Sequence, residues 1–345
     1  MNAIKRLEPG DRGVAARWDA FVELCPDATF FHRAAWQDVI SCVFRHRTYF
    51  LYAEDNGVIT GVLPLAHVNS VLFGNALTSL PFAVYGGAAS VSPTALTALE
   101  EEAQALARRL GVDHLEFRNT RPRHPDWPTQ DLYVTFRKEI LPDDEANMLA
   151  IPRKQRAMVR KGIKNGLKSV IDPNPDRFFA LYADNVHRHG TPAMPLSYFK
   201  NLIAVFGSDC EVLTVESPDG VPLSSVLSFY FRDEVLPYYA GDDEEARDLA
   251  ANDFKYWELM RRASARGIRT FDYGRSKQGT GSYSFKKHWG FEPTPLHYEY
   301  RLYTRDSVPQ NNPANAKYRL FIEAWRRMPI RLANWLGPHI VRNLG

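Results

Sequence analysis

Cysteine is scarce in this chain: Cys25, Cys42 and Cys210 are the only three among 345 residues. An odd, widely spaced set offers neither a disulfide framework nor the paired spacing of a zinc site, and it suits a reducing compartment. Long apolar runs are missing as well. No stretch approaches the roughly 18 uninterrupted apolar residues of a membrane span, and the opening MNAIKRLEPGDRG has no apolar core of an export signal. Neither spanning nor export is expected, and a cytoplasmic location follows. Charge of one sign is not in excess: 43 Lys and Arg face 40 Asp and Glu, for a net charge of +3. An anionic partner must therefore be read by a local patch. No Gly-x-Ser-x-Gly elbow accompanies the ten histidines and there is no P-loop, so hydrolase and nucleotide-triphosphate chemistries lapse. His187 and His189 fall in a predicted helix, where positions two apart diverge, so no metal site is expected.

What is present is apolar material for two cores. The length is about twice the usual domain size, and 45% of residues are hydrophobic, 12% of all residues aromatic. The same order of elements also occurs twice. Tyr49 to Leu65 reads as a hairpin turning at Asp55, Asn56 and Gly57, and Cys210 to Leu227 as a hairpin turning at Pro218, Asp219 and Gly220. An aromatic strand segment follows each, FAVYGGAAS from Phe82 and EVLPYYAGDD from Glu234. Helical periodicity then runs over Ala95 to Leu110 and Leu249 to Arg266, ending before Gly111 and Gly267, which suit left-handed C-caps. A strand closes each set. This order predicts an α/β (α+β) architecture of two half-barrel units with mixed sheets, arisen by duplication.

Between the halves, Ile151 to Val170 carries seven basic residues and no acidic one. Pro152 suits the first turn of a helix and Gly166 its end. Val159, Ile163 and Leu167 form an apolar stripe at four-residue spacing, while Arg153, Arg156, Arg160 and Lys164 run along a neighbouring face.

Three segments carry a family resemblance: Arg156-x-x-Val159-Arg160-Lys161-x-x-x-Asn165-Gly166-Leu167, Tyr85-Gly86-Gly87, and Phe271 to Gly290, FDYGRSKQGTGSYSFKKHWG. Together they resemble the FemAB family of tandem GNAT-fold transferases, which move an aminoacyl group from tRNA onto the peptide of cell-wall precursors. The ending is similar to the family's Phe-Lys-x-x-Phe-Gly signature, with Trp289 in place of the second Phe. The Gly-Thr-Gly-Ser-Tyr lead-in looks closest to the branch found alongside exosortase and PEP-CTERM exopolysaccharide systems. The resemblance implies two GNAT-like domains, at 1–145 and 171–305, a basic interdomain helix at 146–170 and a basic amphipathic tail at 306–345. It also implies N-acyl transfer, but not a substrate, because a fold alone does not name one.

Aminolysis of an ester or thioester needs a free amine, a positioned carbonyl and stabilisation of the developing oxyanion. Lys286 is the expected catalytic cation, by family position and because Tyr283, Phe285 and Trp289 can wall it from water. Lys287, adjacent to it, would point the other way in a strand. Asp272 and Tyr273 end a predicted strand before Gly274; Asp272 either orients the amine or pairs with Arg275 or Lys277. Tyr239, on the second aromatic strand, joins the expected substrate-binding set. Arg156 matches the family's interdomain arginine, and with Arg160 and Lys164 it suits phosphate. The anion is a tRNA acceptor stem or the diphosphate of a nucleotide- or lipid-linked sugar, and the alternative is a solvated charged helix. Tyr85, Gly86 and Gly87 could bring backbone amides to a peptide or phosphate. The glycine signature of a CoA-binding turn is missing, and Gly241 leads into four acids that would repel a pyrophosphate. Aminoacyl-tRNA is thus expected as donor ahead of acyl-CoA, with no tightly bound cofactor and no metal.

The tail from Asn315 to Gly345 has six basic residues and one acidic, with Leu, Ile and Trp interleaved. It either lies on an anionic bilayer at the inner face of the membrane or packs on the second domain, broken at Pro329. The leading expectation is an N-acyltransferase acting on a cell-envelope or exopolysaccharide precursor. Its rivals are an acyl-CoA-dependent acyltransferase on an amino sugar or peptide, and a non-catalytic envelope-assembly factor that binds a lipid-linked saccharide.

Overall fold

A computed structural model describes residues 3–70, 74–309 and 316–343, with side chains from residue 320 in the last stretch. Asn315 and residues 344–345 of the tail lie outside the described residues. Twelve strands carry the architecture: β1 (Ala3–Leu7), β2 (Arg47–Asp55), β3 (Val58–Ser70), β4 (Gly74–Ser79), β5 (His114–Asn119), β6 (Tyr133–Glu139), β7 (Lys168–Asp172), β8 (Cys210–Glu216), β9 (Pro222–Phe231), β10 (Glu234–Asp242), β11 (Thr270–Asp272) and β12 (His297–Leu302). Seven helices enter the argument: α1 (Pro93–Leu110), α2 (Arg153–Lys164), α3 (Asp176–Arg188), α4 (Ala251–Ala265), α5 (Gly281–His288), α6 (Ala316–Arg327) and α7 (Ile330–Val341).

The chain divides into two units, each with its own mixed sheet. Unit 1 holds residues 1–132, 295–311 and 342–345, and unit 2 holds 133–294 and 312–341. The main path of the first sheet runs β1-β2-β3-β4-β5-β12 and that of the second β7-β8-β9-β10-β11-β6. Neighbours are antiparallel in both, apart from the parallel pairs β4/β5 and β10/β11. The two sheets therefore repeat one strand order, as a tandem architecture requires.

The last strand of each sheet comes from the other half of the chain. β6 follows β5 but pairs with β11, placing Arg137 opposite Asp272. β12 follows β11 but pairs with β5, placing Glu299 opposite Phe117. This corrects the expected boundaries at 145, 171 and 305. Alternation marks a segment as a strand, and the partner that pairs with it is a long-range matter.

Local signals set the turns. Asn56 and Gly57 both take positive φ, 49° and 83°, as a two-residue hairpin loop requires. α1 ends at Gly111 in the left-handed region, with Ser92 capping its start. Ala95, Leu99, Ala103 and Leu106 of α1 join Leu51, Leu63 and Leu65 of the hairpin in the unit 1 core.

Two expectations fail locally. The segment from Phe82 is a turn, and β4 is the true counterpart of β10. Leu80 and Phe82 take φ of 55° and 66° there, conformations costly for bulky residues. The Arg118 guanidinium holds this turn by donating to the carbonyls of Leu80 and Ala83 at 3.3 and 2.7 Å. On α2, Ile163 is exposed and Gly162 takes its place on the buried side, because a Cβ there would stand 2.8 Å from Phe254 Cβ of α4. Helix backbones in such close contact leave no room for a stripe of large residues.

Glu299 shows what the exchanged strand brings to unit 1. Its wholly buried carboxylate accepts from Asn119 Nδ2 at 2.8 Å, the Arg123 N–H at 2.6 Å, the His124 N–H at 3.2 Å and His124 Nδ1 at 2.7 Å. His124 Nε2 lies 3.4 Å from Glu100 on α1.

Candidate functional site

β11 ends at Asp272, a turn follows through Gly274 at φ 64°, and α5 starts behind Thr280, whose hydroxyl accepts from the Tyr283 N–H. The expected strand-loop around Lys286 is thus a helix. Lys286 lies on its inner side and Lys287 outside. The Lys286 ammonium donates to the carbonyls of Tyr273, Gly274 and Arg275 at 2.6, 3.1 and 3.2 Å. It also stands 5.6 Å from the ring centres of Phe136 and Tyr273. Burial pushes it down to about 7, while three carbonyl acceptors favour the charged form.

All three N–H groups of that ammonium are engaged in this arrangement. Lys286 accordingly fixes the turn 273–275, and in this geometry it is a positioning residue. Its walls also differ from those expected. Phe136 of the exchanged strand and Tyr273 face the ammonium, while Tyr283 packs edge-on to Phe136 at 5.5 Å. Phe285 and Trp289 pack on each other and on Tyr256.

Asp272 is wholly buried. It accepts from the Gly274 N–H at 2.7 Å and from Thr135 at 3.3 Å, and its other oxygen lies 3.6 Å from Arg137. Arg137 on β6, which the sequence did not single out, is thus an ionic partner of Asp272. Arg275 covers the ring of Tyr133, and Lys277 pairs in register with Tyr133 through its backbone. The Tyr273 hydroxyl is buried with no hydrogen-bond partner among the described residues. Trp289 donates to Asp253 on the first turn of α4 at 2.9 Å.

Other expected contacts are rearranged. The N–H groups of Gly86 and Gly87 both donate to the Arg118 carbonyl at 3.2 Å. A Cβ at Gly86 would lie 2.3 Å from the Ser79 carbonyl oxygen. These glycines let the turn close on its own sheet, which corrects their reading as a ligand cradle; Tyr85 is buried beside Phe31. Tyr239 shares a hydroxyl contact of 3.1 Å with Tyr198 inside an aromatic cluster. Gly241 lies in β10, where a Cβ would fall 2.3 Å from the Tyr182 nitrogen of α3, so close packing explains this glycine.

On α2, Arg156 is half-buried while Arg160 and Lys164 are exposed. Gly290, after α5, would carry its Cβ 3.2 Å from Pro152. The start of the basic helix and the end of the lysine helix are therefore neighbours within unit 2. Asp253, Tyr256, Thr135, Phe136 and Arg137 were not singled out from the sequence. The pairing of β6 with β11 is what brings the last three to this site.

Residues 153–287 match the acetyltransferase (GNAT) domain family. The solved structure of FemX aligns with a TM-score of 0.67 at 15% identity, over 87% of this chain and 98% of that one. Residues 153–287 thus form a GNAT-type acetyltransferase domain. A tandem GNAT protein from the clavulanic acid pathway aligns with a TM-score of 0.55 at 15% identity, over 89% of this chain and all of that one. These likenesses establish tandem GNAT-like units. The lipid II:glycine glycyltransferase of Staphylococcus aureus is 29% identical over 89 residues, 24% of this chain. The match spans about a fifth of that relative's length. Within this GNAT-type fold, the segment Phe271 to Gly290 is the strand, turn and helix that hold Lys286.

Proposed function

We propose that the protein is an acyltransferase that forms an amide on a cell-envelope precursor, with aminoacyl-tRNA as donor and a peptidoglycan or exopolysaccharide precursor as acceptor. The observation that carries this reading is the buried Lys286, locked onto the carbonyls of residues 273–275 inside the matched GNAT domain. The similarity to a lipid II:glycine glycyltransferase supports an aminoacyl donor and a peptidoglycan acceptor.

In the reaction, the acceptor amine attacks the ester carbonyl of the donor. The new C–N bond forms, negative charge develops on the carbonyl oxygen, and collapse expels the sugar hydroxyl, which takes up the proton the amine loses. No nucleophile from the chain is needed. Lys286 acts by holding the turn after β11 through its three carbonyl contacts. Buried charge beside the reacting centre acts strongly because water is excluded. Arg156, Arg160 and Lys164 supply cations for phosphates of the tRNA or of a diphosphate-linked acceptor.

The test is mass spectrometry of precursor peptides and glycans incubated with charged tRNA and the protein, run beside Lys286→Met. An added aminoacyl mass that depends on Lys286 is expected, and unchanged precursors would overturn the reading. A second reading, acyl-CoA as donor, is favoured by the acetyltransferase domain match. Against it, Asp242 and Asp253 flank the start of α4, the helix end at which an anion would need to bind. Calorimetry with acetyl-CoA distinguishes the two donors.

A further inference from the structure

The tail folds onto unit 2 as the helix pair α6 and α7, broken at Pro329. Its inner side is well fixed. A Cβ at Gly190 would meet Ile322 at 2.5 Å, and one at Gly337 would meet the Ala193 carbonyl oxygen at 3.1 Å. His187 bonds the Met328 carbonyl at 2.9 Å. On α7, Ala333, Gly337 and Val341 recur every four residues and are buried, which leaves Arg331, Leu332, Trp335 and His339 on the opposite face.

That outer face is apolar and basic together. Of the twelve large apolar side chains exposed among the described residues, five fall between residues 320 and 335. Leu320 is 68% exposed, Trp335 66% and Leu332 42%. Trp335 is the sole exposed member of the chain's seven tryptophans. Arg326, Arg327 and Arg331 are exposed, and Glu323 is the one acid between residues 316 and 343. Arg327 and Arg331 have no ion-pair partner among the described residues.

We propose that this face docks the protein on an anionic lipid surface, with α7 lying in the plane of the headgroups. Tryptophan and leucine facing outward with flanking arginines match the chemistry of that boundary. No described helix is long and apolar enough to cross a membrane, and α7 with its twelve residues lies along the surface of one leaflet. A second copy fits less well, because a self-complementary contact would bring like-charged arginines together. The proposal stands independently of the transferase reading and needs no substrate to test.

The full chain is sedimented with vesicles of phosphatidylglycerol mixed with phosphatidylcholine, and with phosphatidylcholine alone. Preferential binding to the anionic vesicles is expected, with a blue shift of tryptophan emission. Leu332→Ser with Trp335→Ser should lower partitioning about tenfold, and Arg327→Gln with Arg331→Gln should lower it about fivefold per arginine while flattening its salt dependence. Trp335→Gln alone, checked for an unchanged melting curve, guards against a folding defect. Equal binding to both vesicles, or unaltered binding by the Leu332/Trp335 variant, overturns the proposal. So does a dimer in solution that Trp335→Gln dissolves.

Discussion

Replacing His124 with Gln tests the network that ties the exchanged strand β12 into unit 1. Burial works against charge on this imidazole, yet hydrogen bonds and attraction from Glu100 and Glu299 outweigh it and raise its pKa from 6.5 to about 9. The side chain is 17% exposed, so solvent screening removes only part of the effect. A rise of that size corresponds to about 3 kcal/mol of stability. Because the folded value lies above the unfolded one, this contribution is complete below pH 6.5 and is lost as pH rises through about 9. Glu299 acts at the other end. Burial raises its pKa, but His124 and the two backbone N–H groups lower it overall, so its contribution is lost only as pH falls through its depressed folded value. Urea unfolding at pH 6 and pH 10, followed by a signal from unit 1, should show the wild type losing about 3 kcal/mol more than His124→Gln. For a unit of this size that is roughly 6–12 °C in Tm. Identical pH dependence in the two proteins would refute the argument.

Three further outcomes follow from the geometry. Lys286→Met should lower turnover and lose about 1–3 kcal/mol of stability, because the carbonyls of residues 273–275 lose their donor. Lys287→Met should match the wild type in both kinetics and melting, and equal effects of the two changes would remove Lys286 from the mechanism. Arg160→Gln with Lys164→Gln should weaken tRNA binding and flatten its salt dependence, with Tm unchanged; unaltered affinity in a filter-binding titration returns these residues to a solvated face. Gly241→Ala should cost about 1–3 kcal/mol or more in urea unfolding, since its Cβ would press on the α3 backbone. A neutral result would mean that β10 and α3 can separate freely.

Much of the fold was legible because it rests on local chemistry. Asn56-Gly57 turns a hairpin, and Gly111 and Gly267 end helices in the left-handed region, whichever sheet surrounds them. The repeated order of hairpin, strand, helix and strand carried the tandem architecture, and the Phe271 to Gly290 motif pointed to Lys286. Contacts between distant segments were not legible. Tertiary pairing sends β6 to β11 and β12 to β5, and so gives Asp272 its Arg137 and His124 its Glu299. Gly86 and Gly87 read as a ligand cradle and Gly241 as the glycine before a run of acids; the neighbouring backbones make all three sites of close contact. The amphipathic stripe of α2 was misread at one position because a small residue buries best where two helices touch. Helical periodicity depends on the residue's own neighbours along the chain, whereas burial and partnership depend on what the rest of the chain brings against them.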